Sequence, residues 1–206
     1  NVAEKYGISR DAQDAFAAES QRRAGVAIAE GRFADQILPV EVTKGRAQIT
    51  FATDEYPKPE TTTESLAKLP TVFKKGGSVT AGNAPGGNDG AAAVVVMAAE
   101  KADELGIAPM ARIVGQAVSG LSPKWILMTP VQAVQKLMAK VGWTLDDVDL
   151  FELNEAFSVQ AIAVIRELGL DPEKVNVHGG AVALGHPIGA SGARVLTTLL
   201  YAMRRR

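Results

Sequence analysis

The side chains with chemistry to offer are gathered in two short stretches. The chain holds two histidines, and one glycine-rich segment carries both, running from His178-Gly179-Gly180 to Gly185-His186-Pro187 and on to Arg194. A glycine before His186 permits close backbone approach, and a proline after it freezes the turn, so the imidazole is held in place. Such a mounting suits a general base or a hydrogen-bond donor. It equally suits a buried structural histidine. The second stretch is Asn154-Glu155-Ala156-Phe157, where a strand is expected to run into a helix. An asparagine at that junction would hold a water or donate to an anion, since ligands bind at the carboxyl ends of strands in α/β sheets. The competing reading is a plain helix cap.

Other templates fail. There is no G-x-G-x-x-G and no G-x-x-x-x-G-K-[ST], and Gly189-Ala190-Ser191-Gly192 breaks the spacing of a nucleophile elbow. The two histidines have no metal-ligand spacing, so no metal site is expected. Among 206 residues there is no cysteine, which removes disulfides, thiolate metal sites and any thiol nucleophile supplied by this chain. The 22 basic and 23 acidic residues give a net charge of −1, against a nucleic-acid partner. The longest small, apolar run, Gly90 to Ala99, is about half of the ~20 residues a membrane helix needs. The N-terminus has no signal-peptide pattern. A cytoplasmic chain with no membrane partner is expected, and one that reads as incomplete at both ends.

The elements that must position these residues follow from the pattern. A helix is expected over 9–30, with Ser9 as cap and Ala12, Ala15, Phe16, Ala24, Ala27 and Ile28 apolar. Short strands are expected at 37–43 and 47–51, and a short helix at 64–69. In the stretch 76–90, Gly82, Asn83, Gly86, Gly87 and Asn88 are candidates for irregular backbone. Residues 91–97 read as a strand buried on both faces, and 111–120 as another. A helix closes at Gly106. Thr129-Pro130 opens a helix with a capping hydroxyl. A strand at 148–153 leads into a helix from about Asn154 to Gly169, and Ser191 opens the last helix. From residue 91 onward strands and helices alternate, which predicts an α/β layered domain behind a loop-rich first part.

Taken together, TAGNAPGGNDGAA (80–92), NEAF (154–157) and GGAVALGHPIGASGAR (179–194) resemble the thiolase family in order and spacing, and the likeness extends over essentially the whole chain. The resemblance implies a thiolase-like α/β sandwich: a loop-rich CoA-binding region at 1–83, the last strand–helix portion of the N-terminal domain at 84–108, and a C-terminal domain lacking its final strands at 109–206. It implies an acyl-CoA C-acyltransferase that condenses acyl-CoA units or cleaves 3-ketoacyl-CoA with CoA, which serves as substrate with no permanently bound cofactor. The family's nucleophilic cysteine would lie upstream of Asn1 and its second catalytic cysteine beyond Arg206. A non-catalytic, acyl-CoA-binding relative or partner subunit is the alternative.

By the same resemblance His186 activates the nucleophile and donates to the thioester oxygen, and Asn154 holds the water that completes that oxyanion hole. Ser65 and Leu66 fall where the family contacts adenine, and Lys58 near the nucleotide phosphates. Phe73, Ala81, Ala156 and Phe157 would line the pantetheine channel, although Phe73 and Phe157 serve equally well as core side chains. The chain departs from the family at Pro85, usually a serine, and at Leu127 and Thr129, where small glycines are common near the acyl pocket. Expected partners are acyl-CoA, the remainder of a thiolase and further copies, as a dimer or tetramer. A chain without the first domain would also expose a large apolar face.

Overall fold

The computed structural model describes residues 1–205. Its centre is helix α6, Ser158–Leu168 in the sequence SVQAIAVIREL, with eight residues buried. A helix buried over most of its length is covered on several sides, and α6 packs against α1 (Val2–Tyr6), α2 (Arg10–Ala29) and α5 (Thr129–Val141). Val2, Ile8, Met128, Ile162, Val164 and Val175 belong to this core. Gly169, at φ 64°, ends α6 in the left-handed conformation that favours glycine.

Helix α2 starts as expected, with the Ser9 hydroxyl accepting from Ala12 N at 3.1 Å. Its buried face differs from the expected one. Gln13, Asp14, Ala17, Ser20, Gln21, Ala24 and Ala27 face inward, whereas Ala15 and Ile28 are exposed. The face is small and polar because it lies close on the short helices Thr63–Ala67 and Ala181–Leu184 as well as on α6, and its Asp14, Ser20 and Gln21 hydrogen-bond to Asn83, Glu155 and Val182 O. Strands β1 (Val40–Lys44) and β2 (Ala47–Phe51) form an antiparallel hairpin, with Val42 opposite Ile49. Helix α3 (Thr63–Ala67) begins with a capping box between Thr62 and Ser65. Helix α4 spans Ala99–Glu104.

Residues 91–97 and 111–120 are not strands. A strand exists only as one of a pair, and no described residue hydrogen-bonds to either segment as a ladder. Nor are they buried: Val95 is 86% and Val118 82% exposed, and Val96, Ile113 and Val114 are exposed with them. The expected 148–153 strand shrinks to a parallel bridge between Phe151 and Val175. The sheet component among the described residues is therefore the hairpin and isolated bridges.

Two helix starts also move. Helix α5 begins at Thr129, whose hydroxyl donates to Ile126 O at 2.8 Å instead of capping. The 3₁₀ turn Pro123–Met128 runs straight into α5, without the extended residue a side-chain cap requires. Helix α6 begins four residues after Asn154, with Phe157 in the cap position, so Asn154 is not a helix cap. Helices α7 (Ala181–Leu184), which the sequence pattern did not suggest, and α8 (Ser191–Arg204) complete the chain. No helix among the described residues is long and apolar enough to cross a membrane.

Candidate active site

The two glycine-rich segments meet. His186 N donates to Asn88 Oδ1 at 3.1 Å, and Gly87 bridges His186 in parallel. Gly185 has φ 92°, and a Cβ there would stand 2.7 Å from Asn88 Oδ1. A Cβ on Gly90 would stand 2.9 Å from Pro187. Gly82, Asn83, Gly86, Gly87 and Asn88 lie in irregular backbone, outside any helix or strand, and none has positive φ. Close approach explains Gly82 and Gly86 instead: a Cβ would lie 2.4 Å from the Leu66 side chain and 2.9 Å from Tyr56, respectively. Asn83 is wholly buried, accepts from Thr80 N at 2.9 Å and donates to Asp14 Oδ1 at 2.8 Å.

The half-buried His186 ring is braced on one side. Its Nδ1 lies 2.7 Å from Ser191 Oγ, at the first residue of α8, and Ser191 Oγ donates to Pro187 O at 3.0 Å. A serine has one proton to give. With that proton on the carbonyl, Oγ accepts from Nδ1–H, and Nε2 is left as the basic nitrogen. Burial, reinforced by the positive charge of Arg194, lowers the His186 pKa, so the ring is neutral at neutral pH. A fixed, neutral imidazole presenting Nε2 can take a proton and afterwards donate it to a developing oxyanion. His178 is buried with its ring edge-on to Phe33, 6.0 Å between centroids.

The Asn154 segment is tied down by two residues that sequence reasoning passed over. Asn176, at φ 46°, accepts from Leu153 N at 2.7 Å and donates to Leu153 O at 2.8 Å, replacing a neighbouring strand. Its left-handed backbone is the kind asparagine tolerates. Glu155 is buried, and its carboxylate accepts from Ser20 Oγ (2.9 Å), Val182 N (2.9 Å) and Asn176 Nδ2 (2.8 Å). Burial pushes its pKa up while these three donors oppose that rise. The carboxylate thus joins α2, the Asn154 segment and the loop leading to His186. Asn154 Oδ1 itself is buried and accepts no hydrogen bond among the described residues.

Glu152, also buried, pairs with Arg194 Nη1 at 3.2 Å. Burial pushes its pKa up to about 8, against the pull of Arg194. Folded Glu152 therefore keeps a proton that the unfolded chain, near 4.5, has released. Its stabilising contribution is full below pH 4.5 and is lost as pH rises toward 8. Thermal melts should accordingly fall less between pH 5 and 8 for Glu152→Gln than for the unchanged chain. Parallel pH profiles for the two would contradict this.

The remaining candidates are dispersed. Lys58, Ser65, Phe73 and Ala81 are exposed along the loop-rich surface, Leu66 is buried beneath Gly82, and Ala156 and Phe157 are half-buried. Lys58 N donates to Gln21 Oε1 at 2.8 Å, and Ser65 serves the α3 cap. Phe73 and Phe157 are brought together edge-to-face at 5.8 Å. Phe73 is 72% exposed, which excludes a core role for it, whereas Phe157 also packs on the core.

The structure closely matches the crystal structure of the Bacillus anthracis acetyl-CoA acetyltransferase, with TM-score 0.98, 49% identity, and coverage of 100% of this chain and 52% of that one. It also matches the crystal structure of human mitochondrial 3-ketoacyl-CoA thiolase in complex with CoA, with TM-score 0.91, 43% identity, and coverage of 100% and 51%. A thiolase-like α/β fold is thereby defined. In sequence, residues 1–100 match the thiolase N-terminal domain and residues 107–206 the thiolase C-terminal domain. The acetyl-CoA acetyltransferases of Syntrophomonas wolfei and Escherichia coli K12 are 55% and 52% identical to the whole chain. The chain belongs to the thiolase family, and it spans about half the length of these relatives, 52% of each.

Proposed function

We propose that this chain supplies the oxyanion-hole side and the CoA-binding side of an acyl-CoA C-acyltransferase. The braced His186 carries the proposal. An imidazole with Nδ1 committed to Ser191 and Nε2 basic has the form needed to deprotonate a cysteine thiol. The thiolate then attacks the acyl carbonyl while Nε2–H donates a hydrogen bond to the oxyanion that forms; as the adduct collapses, its bond to the CoA sulfur breaks and the leaving thiolate takes the proton from Nε2. Asn154 holds a water at the same oxygen, a role favoured by its buried, unsatisfied Oδ1. Lys58 and Ser65, with Leu66 behind them, receive the nucleotide end of CoA, and Phe73, Ala81, Ala156 and Phe157 line the path of its pantetheine. The three-part division at residues 83 and 108 belongs to this reading, as do a cytoplasmic setting and a homo-oligomer. CoA is the substrate, and no resident cofactor is required.

The test is a chimera in which these 206 residues replace the matching part of the Bacillus anthracis acetyl-CoA acetyltransferase, whose remainder would provide the cysteines. CoA-dependent cleavage of acetoacetyl-CoA is expected from the chimera and none from the 206-residue polypeptide alone, which has no cysteine. A folded chimera that binds CoA without turning over would favour the non-catalytic reading. Thiolysis by the polypeptide alone would refute the need for a second cysteine-bearing part.

A further inference from the structure

Arg194 is more deeply engaged than a surface arginine. Its side chain is 19% exposed and that of its partner Glu152 2%. Arg194 Nη1 reaches Glu152 Oε1 at 3.2 Å, while Nε and Nη2 are buried with no acceptor among the described residues. Glu152 stands two residues before Asn154. Arg194 stands one turn of α8 beyond Ser191, the residue that holds His186 Nδ1. We propose that Arg194 is a positioning residue for the thiolase reaction: through Glu152 it ties the Asn154 segment to the helix that braces His186, and it places a buried positive charge on the histidine's side of the site. This inference rests on the functional reading above.

The ionisable groups around the guanidinium set its effect. Glu152 and Glu155 face it from the Asn154 segment, Asp54 from the loop after β2, and His186 from the turn before α8. Burial raises the pKa of all three carboxyls, that of Glu152 to about 8, so Glu152 does not neutralise Arg194 where a histidine titrates. A buried cation that its hydrogen-bonded partner does not neutralise opposes a second positive charge nearby. The neutral imidazole is then favoured, which is the form a base must have before it takes a proton. The same Arg194–Glu152 hydrogen bond limits sliding of α8 against residues 151–155, and misplacement of a catalytic group by about 1 Å costs up to ~10²-fold in rate.

Two measurements test the inference separately from the functional reading. The first is an NMR titration of His186 in the 206-residue chain, with His178 as internal control. Arg194→Met should raise the His186 midpoint, Arg194→Lys should leave it low, and Glu152→Gln should not raise it. Should the Met variant fail to fold, Arg194→Gln, which keeps a donor toward Glu152 without the charge, should also raise it. An unmoved midpoint in the neutral variants, or an equal rise in Glu152→Gln, overturns the charge effect. The second uses the chimera: Arg194→Met should lower kcat roughly 10- to 100-fold with KM unchanged and shift the acid limb of the rate profile upward. Arg194→Lys should restore that limb. A kcat within twofold of the parent chimera overturns the positioning role. A parent chimera that never turns over defeats the functional reading instead, and the titration still decides the inference.

Discussion

Replacing His186 by alanine in the chimera should reduce kcat for acetoacetyl-CoA cleavage by about 10²- to 10⁴-fold, the usual range for loss of a positioned acid–base group. KM should change little, because the imidazole acts on the reacting atoms and the proposed CoA contacts lie elsewhere. Folding should survive, since the ring is half-buried and the backbone contact to Asn88 Oδ1 comes from its N–H, which alanine keeps. The variant leaves Ser191 free of its imidazole contact but still bonded to Pro187 O. Steady-state kinetics beside a thermal melt decide the matter. Near-parent turnover with an intact fold would make His186 structural, and a collapsed melt would say the same by another route.

The second large effect concerns folding. Gly180→Ala should destabilise the chain by about 3–5 kcal/mol, the scale of overpacking combined with a broken buried hydrogen-bond network. A Cβ there would sit 2.2 Å from Glu155 Cδ and 2.6 Å from Asn176 Nδ2. The φ of −129° is one any residue adopts, so the penalty comes from the approach of the carboxylate and not from the backbone. Room cannot be made cheaply: moving Glu155 detaches Ser20, Val182 N and Asn176 at once. Gly192 is the matched control. Nothing lies within 4 Å of its built Cβ and its φ is not positive, so Gly192→Ala inside α8 should be neutral or slightly stabilising. Denaturation curves for the pair provide the check, and a Gly180→Ala curve overlying that of the unchanged chain would refute the packing argument.

The contrast between expected and observed elements has one physical source. Helices α2, α3, α4, α5 and α8 were legible because a helix satisfies its own backbone and announces its ends locally, as Ser9, Thr62 and Gly142 do. The hairpin was legible for the same reason, with Lys44-Gly45-Arg46 joining two adjacent runs. Residues 91–97 and 111–120 failed because strand formation depends on a neighbour, which composition does not reveal. The helix expected from about Asn154 starts at Ser158 instead, because the Asn154 segment is tied to Asn176, more than twenty residues away.

For the site, the sequence alone determined which side chains could act: one histidine framed by glycine and proline, one asparagine in NEAF, and no cysteine. It also determined the family, since a motif as long as GGAVALGHPIGASGAR carries that information in its order. Only the tertiary structure decided how those side chains are held. The proton count on Ser191, the three donors on Glu155 and the Arg194–Glu152 pair join residues distant in the chain or depend on angles within a turn. Burial decided the rest: a residue's type sets which charge it can carry, but the desolvation and neighbours that set whether His186 carries it exist only once the chain is folded.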